Sequence, residues 1–310
     1  MDSQYGFRSG RSTSMALIEL VDRLTNCIEN KKYAVGIFID LKKAFDTVDH
    51  EIMLKKMERY GIRGVGYNWI KNYMENRSQF VQMGNHRSVS LSISCGVPQG
   101  SVLGPKLFIL YLNDIFKVSN VLKFTVFADD TNVFCCGDNL QRMMEMVTIE
   151  MNKLKLWFDS NKLSLNLNKT KFMVFGNRNI NTDVRLVTDN QIIERVYEYK
   201  FLGVVLDHKL CWKPHIKNLC MKMARSIGIL SKTRYILNKN TLHTMYCTLI
   251  LPYMLYCVEV WGNTYKSLII KLQLVQNAAA RVLTRTRKYD HISPVLSTLH
   301  WLPIKHCIFF

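Results

Sequence analysis

The chain has 310 residues, 48% hydrophobic and 21% charged, which is enough for one large folded domain or two to three small ones. It carries 42 Lys and Arg against 24 Asp and Glu, and the formal charge of +18 suits a polyanionic partner. Collagen-like, disordered and helix-spanning membrane classes are excluded: the longest apolar stretch, Met245 to Val258, contains Pro252 and falls short of the roughly 20 residues a span needs.

Ser12 to Asn30 is predicted as a helix, capped by Ser12 or Thr13, with an apolar face of Ala16, Leu17, Leu20, Val21, Leu24 and Ile28. Tyr33 to Ile39 is a nearly unbroken apolar run ending at Asp40, as in a strand buried on both faces. A helix is expected over Asp49 to Tyr60, with Gly61 as its stop. Gln79 to Ser94 alternates like a hairpin around Gly84-Asn85, and Pro105 to Ile115 is again helical. Lys123 to Phe134 reads as two short strands around Asp129-Asp130. A helix over Leu140 to Asn161 follows, then strands at Phe172 to Phe175 and Phe201 to Leu206. This order describes an α+β fold, an antiparallel sheet with helices on one face.

Beyond Pro214 the pattern is helical throughout, with Ile216, Leu219, Cys220, Met223, Ile227 and Leu230 on one stripe. Residues 209–288 hold fourteen Lys and Arg against a single acid, Glu259, so most of the net charge sits in this last third. A second, basic, helical domain is expected. The nine cysteines include no C-x-x-C pair and no zinc spacing, so reduced thiols are expected. The polar N-terminus has no secretion signal.

Asp40 closes one apolar strand and Asp129-Asp130 tips a hairpin. Taken singly, an Asp pair in a turn is ordinary turn chemistry and Asp40 an ordinary strand end. Side by side in one sheet, the three carboxylates would converge at one edge, repel, and raise one another's pKa. A pair of divalent cations about 3.5–4 Å apart would relieve that conflict and build a phosphoryl-transfer site, with hard oxygen ligands favouring Mg²⁺.

Ile39-Asp40-Leu41-Lys42-Lys43-Ala44-Phe45-Asp46-Thr47-Val48 resembles the palm A motif of reverse transcriptases of LINE-type, non-LTR retrotransposons. Gly96-Val97-Pro98-Gln99-Gly100-Ser101-Val102-Leu103-Gly104-Pro105 resembles the B motif, and Phe127-Ala128-Asp129-Asp130 the C motif. Gln4 to Ser12 resembles a preceding fingers segment, Leu163 to Met173 the D motif, and Tyr199 to Val204 the E motif. The six occur in the family's order, and the C-terminal Leu299-His300-Trp301-Leu302-Pro303 is similar to jockey-related and chicken-repeat elements.

The resemblance implies a right-hand polymerase: partial fingers over 1–32, a palm with finger insertions over 33–207, a basic thumb over 208–290 and a truncated tail over 291–310. It implies an RNA-directed DNA polymerase that adds dNTP to a DNA 3′ end on an RNA template. Asp40, Asp129 and Asp130 would hold two Mg²⁺ ions, with Mn²⁺ as a substitute. Phe45 would stack under the nucleotide sugar and exclude a ribose 2′ hydroxyl, which disfavours RNA-directed RNA synthesis. Leu41, Gln99 and Gly100 would line the nucleotide and template base. Lys169 is the candidate general acid for the pyrophosphate. Arg8, Arg11, Gly203, Lys217, Lys222 and Arg225 would contact nucleic acid. The implied setting is nuclear or cytoplasmic, without a membrane, beside an upstream endonuclease segment of the same polyprotein. The other reading is a catalytically inactive nucleic-acid-binding remnant of the same element, because the family has more fingers upstream.

Overall fold

The structure, a computed structural model, describes residues 3–176 and 184–307, so the end of the expected tail lies outside the described residues. The chain forms two compact units that meet in sequence at Val196 and Tyr197, so the 198–207 hairpin groups with the C-terminal helices. No helix among the described residues is long and apolar enough to cross a membrane.

The first unit runs α1 (Thr13–Glu29), β1 (Tyr33–Ile39), α2 (His50–Arg59), α3 (Gly64–Met74), four short strands β2 (Ser78–Gln79), β3 (Gln82–Met83), β4 (His86–Arg87) and β5 (Leu91–Ser92), then α4 (Gly104–Leu112). It continues with β6 (Lys123–Phe127), β7 (Asp130–Gly137), α5 (Leu140–Ser160), β8 (Lys171–Phe175), β9 (Leu186–Thr188) and β10 (Gln191–Arg195). Six of these strands form one sheet in the order β6-β7-β1-β8-β10-β9. All pairings are antiparallel except β8 with β10, which is parallel.

β1 is buried along its length beyond Tyr33 because it sits between β7 and β8 and is covered on both faces. Val35, Ile37 and Ile39 point into the main core with Phe108, Tyr111, Val147, Met151 and Phe158 from α4 and α5. Fully burying each such side chain contributes roughly 1.5–3 kcal/mol. Most of the helical cover lies on that face. Strand alternation turns Cys136 away from the core that holds Cys135, and Cys136 is disulfide-bonded to Cys27 of α1, so α1 lies against the other face. The expectation of reduced thiols therefore fails at this pair. The two cysteines are 109 residues apart in sequence and 6.4 Å apart at Cα, a pairing made by sheet order and invisible to local spacing.

The helix starts follow their caps. The Ser12 hydroxyl accepts from the Met15 N–H at α1, and the Asp49 carboxylate accepts from the Ile52 N–H at α2. Asp49 is also paired with Lys162, and its hydrogen bonds outweigh partial burial to hold it below the usual carboxylate range.

The second unit contains the hairpin β11 (Glu198–Phe201) and β12 (Val204–Asp207), then α6 (Lys213–Thr233), α7 (Lys239–Leu249), α8 (Leu251–Leu255), α9 (Val258–Trp261), α10 (Lys266–Thr284), α11 (Ile292–Thr298) and α12 (Ile304–Cys307). Buried Asp207 accepts from the N–H groups of Lys209, Cys211 and Trp212 and so turns the chain from β12 into α6. His215 is buried against Trp261, with Nδ1 accepting from the Val205 N–H. Burial, reinforced by the positive charge of Lys222, pushes His215 down to about 4.

The fold therefore favours neutral His215. Its contribution to stability is complete above about pH 6.5 and is lost as pH falls toward 4. At pH 5 the loss is about 2 kcal/mol. Urea denaturation at pH 7 and pH 5 should show it, and His215→Gln should remove that part of the pH dependence.

Candidate active site

β6 and β7 are joined by a two-residue loop, Ala128-Asp129, closed by the Phe127–Asp130 pair. Ala128 is left-handed at φ +58°, as such a tight loop requires, and this costs about 1–2 kcal/mol for a residue with a Cβ. The β1/β7 register pairs Ile39 with Thr131, which sets Asp40 level with Asp130. Asp40, Asp129 and Asp130 thus lie at one end of the three neighbouring strands β6, β7 and β1.

The electrostatics reflect this convergence. Asp130 is exposed as a residue, yet partial desolvation of its carboxyl raises its pKa, and the charges of Asp129 and Asp40 raise it further. None of the three carboxylates forms an ion pair among the described residues. No three His, Cys, Asp or Glu side chains among the described residues are grouped to hold a metal ion as they stand. The donor set nevertheless fits a divalent cation: three hard carboxylates, mutually repelling and without a protein cation, within reach of one another's charge.

The turn at 166–170 holds the Asp40 peptide. The Asp40 N–H donates to Thr170 Oγ1 at 3.3 Å, and its carbonyl accepts from the Asn166 N–H at 2.9 Å. The N–H groups of Lys169 and Thr170 both donate to the Asn166 carbonyl, which tightens the turn and leaves the Lys169 side chain exposed. Leu41, mostly buried, bridges to Leu165. The D-like segment is thereby stitched to the A-like one.

Phe45 is half-buried and stacked on Phe108 at 4.2 Å, with Phe7 edge-on at 6.5 Å. Gln99 is exposed, and its Nε2 donates to Asp46 Oδ1 at 2.7 Å. Gly100 is exposed and left-handed. Buried Gly96 lies against the Asp46 backbone: its N–H donates to the Val48 carbonyl at 2.7 Å and its own carbonyl lies 2.7 Å from His50 Nε2. A glycine beside a predicted ligand path proves to serve a close approach of two backbones. A cleft of about 720 Å³ opens beside this junction, lined by Lys43, Asp46, His50, Arg77 and Gln99.

In the N-terminal segment, Arg8 donates to the Gln4 carbonyl and the Arg11 guanidinium lies 5.1 Å from the Tyr5 ring centre. Gly203, Lys217, Lys222 and Arg225 belong to the other unit. Gly203 is a left-handed hairpin residue whose Cβ position is filled by the Tyr256 ring, and the Tyr256 hydroxyl donates to the Leu202 carbonyl at 2.8 Å. The three bases lie on α6, Lys217 and Arg225 exposed and Lys222 over the Tyr253 ring. The first unit therefore gathers the carboxylates with Leu41 and the Lys169 turn, and Gln99 with Asp46.

Sequence reasoning missed three partners here: Thr170, Asp46 and the buried Gln4. Each lies inside one of the six motifs, but only the folded register shows which backbone or side chain it meets.

Three carboxylates without an ion-pair partner at one end of neighbouring strands are a donor set that suits two-metal phosphoryl transfer. The family model for reverse transcriptase (RNA-dependent DNA polymerase) matches residues 1–206, and the chain belongs to that family. Among similar proteins, the probable RNA-directed DNA polymerase from transposon BS of Drosophila melanogaster is 28% identical over 301 residues, covering 91% of this chain and 32% of that protein. The RNA-directed DNA polymerase from mobile element jockey of the same species is 28% identical over 293 residues, covering 90% and 31%. The chain thus spans about a third of the length of these relatives. Telomerase from Candida albicans has a solved structure with a TM-score of 0.47 at 10% identity, covering 97% of this chain and 56% of that one.

Proposed function

We propose that this chain is the polymerase portion of a non-LTR retrotransposon enzyme, an RNA-directed DNA polymerase that extends a DNA 3′ end with dNTP on an RNA template. The observation that carries this reading is the convergence of Asp40, Asp129 and Asp130 at one sheet edge without a cation partner. Asp40, Asp129 and Asp130 would hold two Mg²⁺ ions, or Mn²⁺ in their place. Bound there, the ions supply charge neutralisation for the triphosphate and lower the pKa of the attacking hydroxyl.

The chain's own residues orient the reactants. The primer 3′ hydroxyl gives up its proton to solvent as its oxygen forms a bond to the α-phosphorus, the bond from that phosphorus to the bridging oxygen breaks, and pyrophosphate leaves. Lys169, on the turn that holds Asp40, donates a proton to the leaving pyrophosphate. Phe45, backed by Phe108, stacks under the sugar and excludes a ribose 2′ hydroxyl, while Leu41, Gln99 and Gly100 flank the base pair being formed. Arg8 and Arg11 meet phosphates on the first unit. Gly203, Lys217, Lys222 and Arg225 hold the RNA–DNA duplex through its backbone in the second. The polymerase acts in the nucleus or cytoplasm, with an endonuclease segment of the same polyprotein upstream.

The test is dTTP incorporation on poly(rA)–oligo(dT) with Mg²⁺. Incorporation that disappears on adding EDTA supports the polymerase. Duplex binding without incorporation would leave only a nucleic-acid-binding remnant. Phe45→Ala should raise rNTP use relative to dNTP roughly 10-fold or more, read by competing rUTP against dTTP. An unchanged ratio would remove Phe45 from the sugar gate.

A further inference from the structure

Beside β6, the residues before α1 add a short parallel rung to the sheet. The Tyr5 N–H donates to the Val126 carbonyl at 2.8 Å, and the Val126 N–H donates to the Ser3 carbonyl at 2.9 Å. Between them Gln4 turns its side chain inward and is 2% exposed. Its Oε1 accepts from the Ala128 N–H at 3.1 Å and from the Gly6 N–H at 2.8 Å, and its Nε2 reaches the Ala128 carbonyl at 3.5 Å.

A primary amide is complementary to a peptide unit, since it offers one acceptor and one donor side by side. Ala128 needs such a partner. Its left-handed conformation takes its N–H and carbonyl out of the β6/β7 ladder, which ends at the Phe127–Asp130 pair. Such conformations persist where surrounding contacts over-determine them. Gly6 closes the other side: a Cβ there would stand 2.3 Å from the Ala128 nitrogen, so only glycine admits this approach. The residue so clamped directly precedes Asp129.

We propose that Gln4 is a positioning residue for Asp129: it holds the Ala128 peptide in its left-handed turn and so fixes the Asp129 carboxylate for divalent-cation binding. The proposal rests on the polymerase reading for its catalytic consequence, but not for the clamp itself. A residue that merely stabilised the sheet would alter the melting temperature and leave the cation site of the folded fraction unchanged.

The experiment uses the full chain and Gln4→Met, which keeps side-chain length and removes both hydrogen-bonding atoms. Hydrogen exchange at the Ala128 amide should be slow in the unsubstituted chain and at least ~10-fold faster in Gln4→Met. Mn²⁺ affinity, read by electron paramagnetic resonance, should weaken several-fold, and kcat for dTTP should fall with little change in KM. Gln4→Glu retains the acceptor oxygens and should keep the Ala128 amide protected. Unchanged exchange and Mn²⁺ affinity in Gln4→Met would overturn the proposal. If Gln4→Met does not fold, exchange at Ala128 in the unsubstituted chain decides: a rate typical of an open loop overturns it, and protection that Gln4→Glu preserves supports it. Absence of dTTP incorporation by the unsubstituted chain would sink the polymerase reading alone, and the exchange and Mn²⁺ results would still judge the clamp.

Discussion

Asp129→Asn is expected to lower dTTP incorporation by roughly 10³-fold or more while leaving the affinity for an RNA–DNA duplex within about twofold. The substitution keeps the size of the side chain and removes its charge. In the hairpin, Asp129 sits at the tip of a two-residue loop and makes no ion pair among the described residues, so no folded contact is lost with the charge. Its charge does raise the Asp130 carboxyl, as does that of Asp40. Removing one of three like charges should therefore leave the chain as stable as before, or slightly more so, in EDTA. Thermal denaturation in EDTA beside the incorporation assay separates the two roles. Lost synthesis with an unchanged or higher melting temperature places Asp129 in the chemistry. Undiminished synthesis would remove the carboxylate edge from the mechanism.

Gly96→Ala is expected to destabilise the first unit by at least about 3 kcal/mol. Two costs add. Gly96 lies at φ +86°, where an L side chain is strained, and a Cβ would come within 2.8 Å of the Asp46 carbonyl oxygen and 2.9 Å of its Cα. Both obstacles are backbone, so no rotamer change relieves them. The contact is also a junction, since Gly96 and Val97 donate to the carbonyls of Val48 and Phe45. Gly100→Ala is the matched control: its φ is +80°, but nothing lies within 4 Å of the added carbon. Only the conformational cost remains there, about 1 kcal/mol. Urea denaturation of both variants should show the difference, and equal effects would mean that the Asp46 backbone yields.

What the residues reveal depends on how local the cause is. The run from Tyr33 to Ile39 was legible as a doubly covered strand because burial on both faces leaves no polar alternation. The 123–137 hairpin and the Ser12 and Asp49 helix starts were legible because turn and cap chemistry act over two or three residues, but the hairpin loop is Ala128-Asp129 rather than the expected Asp129-Asp130, since Asp130 pairs with Phe127 as the first residue of β7. α3 gave no such signal: it carries two glycines and buries only Met74, so no apolar stripe marks it. β9 and β10 are short, and the parallel pairing of β10 with β8 is a long-range choice. Within the site, residue types that suit cation binding could be read directly. Which peptide Thr170, Gln4 or Gly96 would touch could not, because each contact joins segments tens of residues apart or more.

The rung formed by Ser3 and Tyr5 also protects the sheet. β6 is a border strand, and an uncovered border offers free N–H and carbonyl groups to any passing strand. Lys123, exposed at the strand's start, discourages such pairing by charge at one end. The N-terminal segment does so by occupancy at the other. A chain trimmed beyond Tyr5 would leave the apolar end of β6 open to strand addition, and self-association would compete with folding at the place where the carboxylate loop is made.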